Sequence, residues 1–394
     1  MQLEKIQQVL KERNLDGWLL CDFHNKDLIA YRITGLDSNK FTSRRWFYFI
    51  PADGKPWKLV SRVENTKLDP LPGDKHLYLS WRELHASLAD LLKGRKQVAM
   101  NYSALNNIPY VSMVDAGLME LIRKTGIEVI SSADLVTIFE ASISAEGYRL
   151  QKTAADHLDE IVHEAFKKIG ESAGRKGGGG KETEYSIQQF ILGEFMRRNM
   201  HWDDAPIVGV NEHPADPHFE PTEATAKTFK EGDCVLIDLW ARMKDDEAVF
   251  ADITWCAFIG ESPPEKYEKA FNTIVRARDA AVEFIRKKFS KGEKVYGFEV
   301  DDACRNVVIE AGFGDYFIHR TGHNIGREVH GNGVNIDNLE TKDERELIAN
   351  VCFSVEPGIY VEGEFGARTE IDVFIKEGRE VEVTTKAQEK LLLL

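Results

Sequence analysis

The chain has 394 residues, with 65 acidic and 51 basic side chains that give a formal net charge of −14. This acidic balance argues against a protein that binds nucleic acid or anionic membranes, because both partners require basic faces. Hydrophobic residues make up 43% of the chain, yet no run reaches the roughly 18 apolar residues of a membrane span, so we expect a soluble protein of two or three domains.

Cysteine usage and the N-terminal residues indicate the compartment. The cysteines are Cys21, Cys234, Cys256, Cys304 and Cys352. They are scattered without a CxxC pair, which is typical of buried thiols in a reducing compartment rather than of a disulfide frame or a zinc site. The N-terminus is amphipathic and lacks the continuous apolar segment of a signal peptide. We therefore expect a cytoplasmic protein.

Residues 1–138 alternate short helical and strand patterns, which predicts a small α/β domain. Two strands, at 45–51 and 57–60, flank the pair Asp53-Gly54, a turn that favours a β-hairpin. The other elements predicted here are helices over 2–13, 83–92 and 110–124 and strands over 17–21, 97–100 and 127–130.

A change of pattern near residue 140 predicts a second domain over 139–394. Ser144 is predicted to cap a long helix over 145–170. The glycine-rich stretch at 174–181 is interpreted as a surface loop, because Arg175 and Glu182 break the phosphate-loop pattern. The other elements predicted here are helices over 184–199, 263–288 and 298–312 and strands over 234–242, 249–260, 351–361 and 367–376. The helix over 263–288 has apolar residues on one face, and the two domains together predict an α+β fold.

Four acidic side chains interrupt apolar or glycine-flanked stretches of the second domain. They are Asp238 in LIDLW, Asp252 in FADITW, Glu356 in SVEPGIY and Glu370 in ARTEID. Each alone is compatible with an ordinary salt bridge or an edge-strand position. A buried carboxylate is nevertheless costly unless it is paired or binds a metal, so four of them together call for cations.

A histidine segment lies between the two pairs of acids. His319, His323 and His330 occur within HRTGHNIGREVHG and are interleaved with glycines, which allow a ligand to approach the backbone closely. Each histidine alone could be an ordinary core or surface residue. One imidazole with four carboxylates suits one or two divalent ions of the Mn, Fe, Co or Zn kind. The sequence therefore predicts a metal-dependent hydrolase.

These motifs, in this order, resemble the pita-bread metallopeptidases, and specifically their Xaa-Pro dipeptidase (prolidase) and Xaa-Pro aminopeptidase branch. The resemblance implies a creatinase-type N-terminal domain over 1–138 and a pita-bread catalytic domain over 139–394. It also implies a homodimer and two divalent metal ions, with manganese favoured over cobalt, zinc and iron. A tyrosine that is common shortly before the second aspartate ligand is absent, since Val249 and Phe250 stand there.

The resemblance assigns roles residue by residue. It implies five metal ligands, of which Asp252 and Glu370 bridge the two ions: Asp238, Asp252, His323, Glu356 and Glu370. It implies substrate contacts by four further residues: His218, His319, His330 and Arg368. Glu356 is expected to act as general base, and His330 to stabilise the oxyanion.

We therefore expect a dipeptidase that hydrolyses the amide bond before proline, using a water that the two metals bridge. The five ligand positions are equally compatible with an Xaa-Pro aminopeptidase that takes longer peptides. A peptide-binding module that has kept the fold without turnover is the alternative from another class. Proline-containing dipeptides or short peptides are the expected partners in all three cases.

Overall fold

The computed structural model describes residues 1–173 and 181–394, and most of the glycine-rich stretch at 174–181 lies outside them. The chain divides into two compact units, Met1–Glu140 and Ala141–Leu394. Both units mix helices with sheets, so the α+β fold class is confirmed. No helix among the described residues is long and apolar enough to cross a membrane.

The first unit is built on one six-stranded sheet with the order β4-β3-β2-β1-β5-β6. Its elements, in chain order, are α1 (Leu3–Glu12), β1 (Gly17–Asp22), α2 (Leu28–Thr34), β2 (Trp46–Pro51), β3 (Trp57–Ser61), β4 (Asp74–Tyr78), α3 (Trp81–Leu91), β5 (Gln97–Met100), α4 (Ala116–Arg123), β6 (Glu128–Ser131) and α5 (Ala133–Phe139). Helices α1, α2 and α5 cover one face of the sheet, and α3 and α4 cover the other. The hairpin predicted from Asp53-Gly54 is confirmed, since β2 and β3 pair antiparallel.

The helix predicted over 110–124 is wrong in its first half. A 3-10 turn occupies Pro109–Val111, and α4 begins only at Ala116. Asp115 caps this helix by accepting a hydrogen bond from the backbone N–H of Leu118 at 2.9 Å. An N-cap residue leaves the helical conformation, so the helix starts after Asp115 rather than before it.

The second unit contains a five-stranded, a four-stranded and a two-stranded sheet. Its elements, in chain order, are α6 (Ala145–Ala173), α7 (Glu184–Arg197), β7 (Met200–His201), β8 (Ile207–Val210), β9 (Cys234–Met243), β10 (Ala251–Phe258), α8 (Glu265–Ser290), α9 (Gly297–Glu310), β11 (Asn324–Ile325), β12 (Val351–Val355), β13 (Gly358–Val361), β14 (Phe365–Arg368), β15 (Ile371–Ile375), β16 (Val381–Val383) and β17 (Leu392–Leu393). The predicted cap of α6 is confirmed, because Ser144 Oγ accepts a hydrogen bond from the N–H of Gly147 at 3.0 Å.

Strands β9 and β10 form the centre of this unit, and both faces of the pair are covered. One face packs with α6 and α7, and the other packs with α8 and α9. Successive side chains of a strand point to opposite faces, so Leu236 and Asp238 share the face toward α8 and α9. The apolar face predicted for α8 is confirmed by the burial of Tyr267 and Ile274 against this core.

The strand predicted over 351–361 is wrong as a single element. It breaks at Glu356 and Pro357 into β12 and β13, which belong to different sheets. Proline has no N–H to donate to a ladder, so the strand ends where Pro357 stands. The stretch predicted over 367–376 likewise divides at Glu370 into β14 and β15. Both breaks fall at a candidate metal ligand, which therefore lies between strands rather than within one.

Candidate metal centre and active site

Four carboxylates reach one centre from two pairs of strands. Asp238 lies within β9, and Asp252 lies near the start of β10, which pairs with β9 in antiparallel register. Glu356 follows β12, and Glu370 joins β14 to β15. The N–H of Glu370 donates to the carbonyl oxygen of Thr254 at 3.2 Å, which ties this junction to β10.

The imidazole closest to these carboxylates belongs to His323. Its ring nitrogen Nε2 lies 3.7 Å from Asp252 Oδ2 and 3.4 Å from Glu356 Oε1. Ligand atoms of Asp252, His323 and Glu370 all lie within 4.8 Å of one another. The structure thus brings all three residues close enough to share one ion, with Glu356 beside them.

Three oxygens of this cluster are buried and have no hydrogen-bond partner among the described residues. They are Asp238 Oδ1, Asp252 Oδ1 and Glu370 Oε1. A buried acceptor without a partner costs about 1 to 3 kcal/mol, and more when it is charged. Three such oxygens on neighbouring carboxylates fit cation ligands, because divalent ions would supply the missing partners.

The electrostatics agree with this interpretation. Burial and the neighbouring carboxylates raise the pKa values of Asp252 and Glu370 well above the ordinary range. Burial also raises the pKa of Glu356 to about 7, although Arg368 opposes the shift. Burial lowers the pKa of His323 and keeps its imidazole neutral, which is the form that binds metal. These carboxylates therefore need a positive partner to be ionised together.

Arg368 holds several of these groups in place. Its guanidinium donates to Asp238 Oδ2, to the hydroxyl of Tyr360 at 2.7 Å and to Thr254 Oγ1 at 3.1 Å. Its Nε also lies 3.9 Å from Glu356 Oε2. The side chain is only 3% exposed. With these protein partners around it, Arg368 is placed to orient ligands rather than to project into solvent.

Thr254 and Tyr360 belong to the site although the sequence did not single them out. Thr254 Oγ1 donates to Glu370 Oε2 at 2.7 Å and accepts from Arg368 Nε. It thereby connects Arg368 to a candidate metal ligand. Thr254 lies two residues after Asp252 and therefore on the same face of β10. This spacing is the one feature of the sequence that could have placed Thr254 near the metal ligands. Tyr360 lies in the apolar strand β13, shortly after Glu356. Aromatic residues are common in such strands, so the sequence alone does not indicate that Tyr360 belongs to the site.

A second group of hydrogen bonds fixes the backbone of Asp252. Its N–H donates to Asp372 Oδ2 at 3.0 Å, and Gln151 of α6 donates to the same oxygen at 2.8 Å. Asp372 is fully buried, and burial raises the pKa of its carboxyl group. Asp372 thus links a ligand strand to a helix.

His319 and Tyr360 extend the network from Arg368. His319 Nε2 lies 2.7 Å from the hydroxyl of Tyr360, and His319 Nδ1 lies 2.6 Å from the carbonyl oxygen of Arg320. A carbonyl can only accept, so Nδ1 carries the proton and Tyr360 donates to Nε2. Burial lowers the pKa of His319 to about 3, with Arg368 adding to the shift. This histidine is therefore neutral throughout the physiological range.

His330 stands beside the cluster. Its ring centroid lies 4.3 Å from that of His323. Although His330 is open to solvent on one side, desolvation by the surrounding protein lowers its pKa to about 4, and Arg320 and His218 add to the shift. His218 itself is exposed, and its backbone N–H donates to Asp216 Oδ1 at 3.1 Å. The structure thus brings His330 beside His323, whereas His218 lies in an exposed position near enough to affect the charge of His330.

Comparison with known proteins agrees with this geometry. Residues 149–377, more than half of the chain, match the model of metallopeptidase family M24. The probable dipeptidase PepE of Mycobacterium tuberculosis is 34% identical over 187 residues, which are 48% of this chain and 46% of that protein. The alignments thus span only about half the length of the first curated relatives. The Xaa-Pro dipeptidase of Lactobacillus delbrueckii subsp. lactis is 25% identical over 405 residues, covering 100% of this chain and 99% of that protein.

Solved structures share the fold over the whole chain. Dipeptidase PepE from Mycobacterium ulcerans aligns with a TM-score of 0.71 and 23% identity, covering 99% of this chain and 96% of that one. A dipeptidase from Pyrococcus horikoshii OT3 aligns with a TM-score of 0.64 and 25% identity, covering 100% of both chains. The pita-bread fold expected from the resemblance is confirmed, and the chain belongs to metallopeptidase family M24.

Proposed function

We propose that this protein is a metal-dependent Xaa-Pro dipeptidase, which hydrolyses the amide bond before proline in dipeptides. The observation that carries the proposal is the convergence of His323 with Asp252 and Glu370, beside Glu356 and Asp238, where three buried carboxylate oxygens have no hydrogen-bond partner among the described residues. The full-length similarity to an Xaa-Pro dipeptidase supports the same activity. A binding module without turnover would not need so complete a set of ligands.

The proposal assigns two divalent cations to five ligands. These ligands are Asp238, Asp252, His323, Glu356 and Glu370. Carboxylate oxygens and one imidazole suit manganese, which we favour, and also cobalt, zinc or iron. Cations held there would supply Lewis acidity and lower the pKa of a water from 15.7 toward about 7.

The protein's own groups would then move the proton and hold the substrate. Glu356, whose pKa is raised to about 7 by burial, would take a proton from water and pass it to the proline nitrogen. His330, neutral at physiological pH, would donate a hydrogen bond to the carbonyl oxygen of the scissile bond. His218 and His319 would line the substrate side, and Arg368 would keep Asp238 and Glu356 oriented.

We propose that the metal chemistry belongs to residues 139–394, preceded by a creatinase-type domain over 1–138. The buried, unpaired thiols of all five cysteines support a reducing compartment such as the cytoplasm. A homodimer rests on the family resemblance alone.

The test is hydrolysis of Ala-Pro against Ala-Pro-Ala by the full-length protein reconstituted with manganese. Cleavage of the dipeptide alone is the expected result, and equal or faster cleavage of the tripeptide would change the assignment to Xaa-Pro aminopeptidase. Asp252→Asn should abolish activity and weaken metal binding, because it removes a charged ligand. Asp246→Asn, an exposed acid in the preceding loop, is the matched control and should leave both unchanged. Stoichiometric metal binding without cleavage of either peptide would contradict both peptidase assignments.

A further inference from the structure

The first unit contains a cavity of about 310 Å³ that lies away from the metal ligands in the sequence. All of its lining residues fall between Cys21 and Leu121, so the cavity belongs to the Met1–Glu140 unit alone. It opens where β1 ends, at Cys21 and Asp22, and its opposite wall is formed by Val114 and the start of α4. Pockets that bind small ligands begin at about this size, roughly 300 Å³.

The topology of the sheet makes this a favoured position for a ligand. Strands β1 and β5 are neighbours and run parallel, so their carboxyl ends meet at one edge of the sheet. After β1 the chain crosses to α2, which packs on one face of the sheet, and after β5 it crosses to α4, which packs on the other. Ligands of open α/β sheets bind in the crevice at such a switch point, outside the carboxyl ends of the strands.

The inner wall of the cavity is largely apolar. Phe47, Val114, Leu118 and Leu121 line it together with Cys21. Burial raises the pKa of the Cys21 thiol well above its usual value, and the carboxylates of Asp27 and Asp22 add to the shift. The thiol is therefore protonated and behaves as a small apolar group. This wall suits an aliphatic or aromatic side chain.

Positively and negatively charged side chains lie at the mouth of the cavity. Lys26 and Arg45 line it, are exposed, and have no ion pair or side-chain hydrogen bond to another described residue. Asp115 also lines it, and among the described residues only its Oδ1 accepts a hydrogen bond, from the backbone N–H of Leu118. Asp27 and Asp115 each accept from a backbone N–H in the first turn of α2 and α4, and the negative charge that they place at these helix N-termini disfavours a phosphate there.

We propose that this cavity binds a free apolar amino acid in its zwitterionic form. The carboxylate meets Lys26 and Arg45, the ammonium group meets the second oxygen of Asp115, and the side chain enters the apolar interior. Such a ligand is of the same chemical class as the products of peptide hydrolysis. The proposal goes beyond the peptidase function and does not depend on it, because its readout is binding.

The first test is calorimetric titration of L-leucine into the full-length, manganese-loaded protein. We expect one leucine per chain, and affinity at least about tenfold weaker for leucinamide and for N-acetyl-leucine, since each lacks one of the two charges. Absence of leucine binding at millimolar concentration, or equal affinity for all three compounds, would overturn the proposal.

Two variants with matched controls locate the binding. Arg45→Ala should weaken leucine binding about tenfold, whereas Arg44→Ala, its exposed neighbour outside the cavity, should not. Met113→Trp should fill the cavity and abolish binding, whereas Met196→Trp alters another exposed methionine, on α7, and should leave it intact. If leucine binds equally well to both cavity variants, it binds elsewhere and the proposal is wrong. Peptidase activity does not enter this comparison, so failure of one proposal leaves the other standing.

Discussion

Thr254 is the residue through which Arg368 and Glu370 are connected. Its hydroxyl accepts from Arg368 Nε at 3.1 Å and donates to Glu370 Oε2 at 2.7 Å. A hydroxyl can do both at once, and no apolar side chain of the same shape can. Groups that orient metal ligands commonly change metal affinity when they are removed, even though they touch no metal themselves.

Thr254→Val should therefore weaken manganese binding by about 10- to 100-fold. Valine has the shape of threonine, but it leaves Glu370 Oε2 and the guanidinium without their shared partner. Thr254→Ser keeps the hydroxyl and should restore affinity, although it leaves a small void. The measurement is the manganese dissociation constant by calorimetry for all three proteins. Equal affinities in the valine and serine variants would show that the hydroxyl has no positioning role.

At the scale of elements, close packing of strand backbones shapes the site. A Cβ on Gly322 would lie 1.9 Å from the carbonyl oxygen of Ser354. Gly322 directly precedes His323, whose N–H donates to Ser354 Oγ at 3.0 Å. Any side chain at position 322 must push the histidine segment away from β12. Glu356 comes directly after β12, so its position relative to His323 would change as well.

Gly322→Ala should lower the free energy of unfolding by about 1 to 3 kcal/mol, because the clash is with backbone that cannot rotate away. Gly193→Ala is the matched control: Gly193 lies within α7, and its added Cβ would meet no atom within 4 Å. That control should raise stability by about 1 kcal/mol, the difference in helix propensity. The measurement is the free energy of unfolding in urea of both variants and of the unmodified protein. Two changes of the same sign would contradict this account of the packing.

A second element-scale contact fastens α6 to the end of β15 and to β16. Glu382 accepts hydrogen bonds from Tyr148 and Lys152, both at 2.7 Å, and pairs with Lys376 at 2.5 Å. Burial alone would raise the pKa of Glu382, but these partners outweigh it and lower the pKa to about 2. In the unfolded chain the pKa of a glutamate is about 4.3.

Because the folded pKa lies below the unfolded one, the contribution of Glu382 is fully present above about pH 4.3 and is lost as the pH falls toward 2. Glu382→Gln should therefore destabilise the protein by about 1 kcal/mol at pH 7, a modest amount because solvent screens the pair. The deficit should shrink as the pH falls from 5 to 3. Denaturant unfolding of both proteins across this range measures it. A deficit that does not change with pH would mean that the charge of Glu382 contributes nothing.

The same local details explain what could be predicted from the sequence. Carboxylates within apolar strands are conspicuous, so Asp238 and Asp252 could be selected from the sequence alone. Tyr360 could not, because an aromatic residue in a strand is ordinary and its hydrogen bonds depend on Arg368 and His319 from other elements. The breaks at Glu356 and Glu370 were missed because the apolar pattern continues through both strand junctions. Helix α2 was missed because seven residues are too few to establish a helical period.

At the scale of the whole molecule, the proposed metal centre links metal binding to the folding of one of the two units. The candidate ligands all lie in Ala141–Leu394, where they connect β9 and β10 to the strands after α9. The Met1–Glu140 unit has its own apolar core on each face of its sheet. We therefore expect the Met1–Glu140 unit to fold without any metal.

Removal of metal by a chelator should lower the melting temperature of the Ala141–Leu394 unit and leave that of the Met1–Glu140 unit unchanged. A ligand present at about 1,000 times its dissociation constant stabilises the native state by about 4 kcal/mol, which the chelator removes. Differential scanning calorimetry of the full chain with and without chelator measures this. A fragment of residues 1–140 identifies its own transition and serves as the control. An equal shift of the fragment's transition would mean that the chelator acts on something other than the proposed ligands, and no shift in the full chain would contradict a stabilising metal centre.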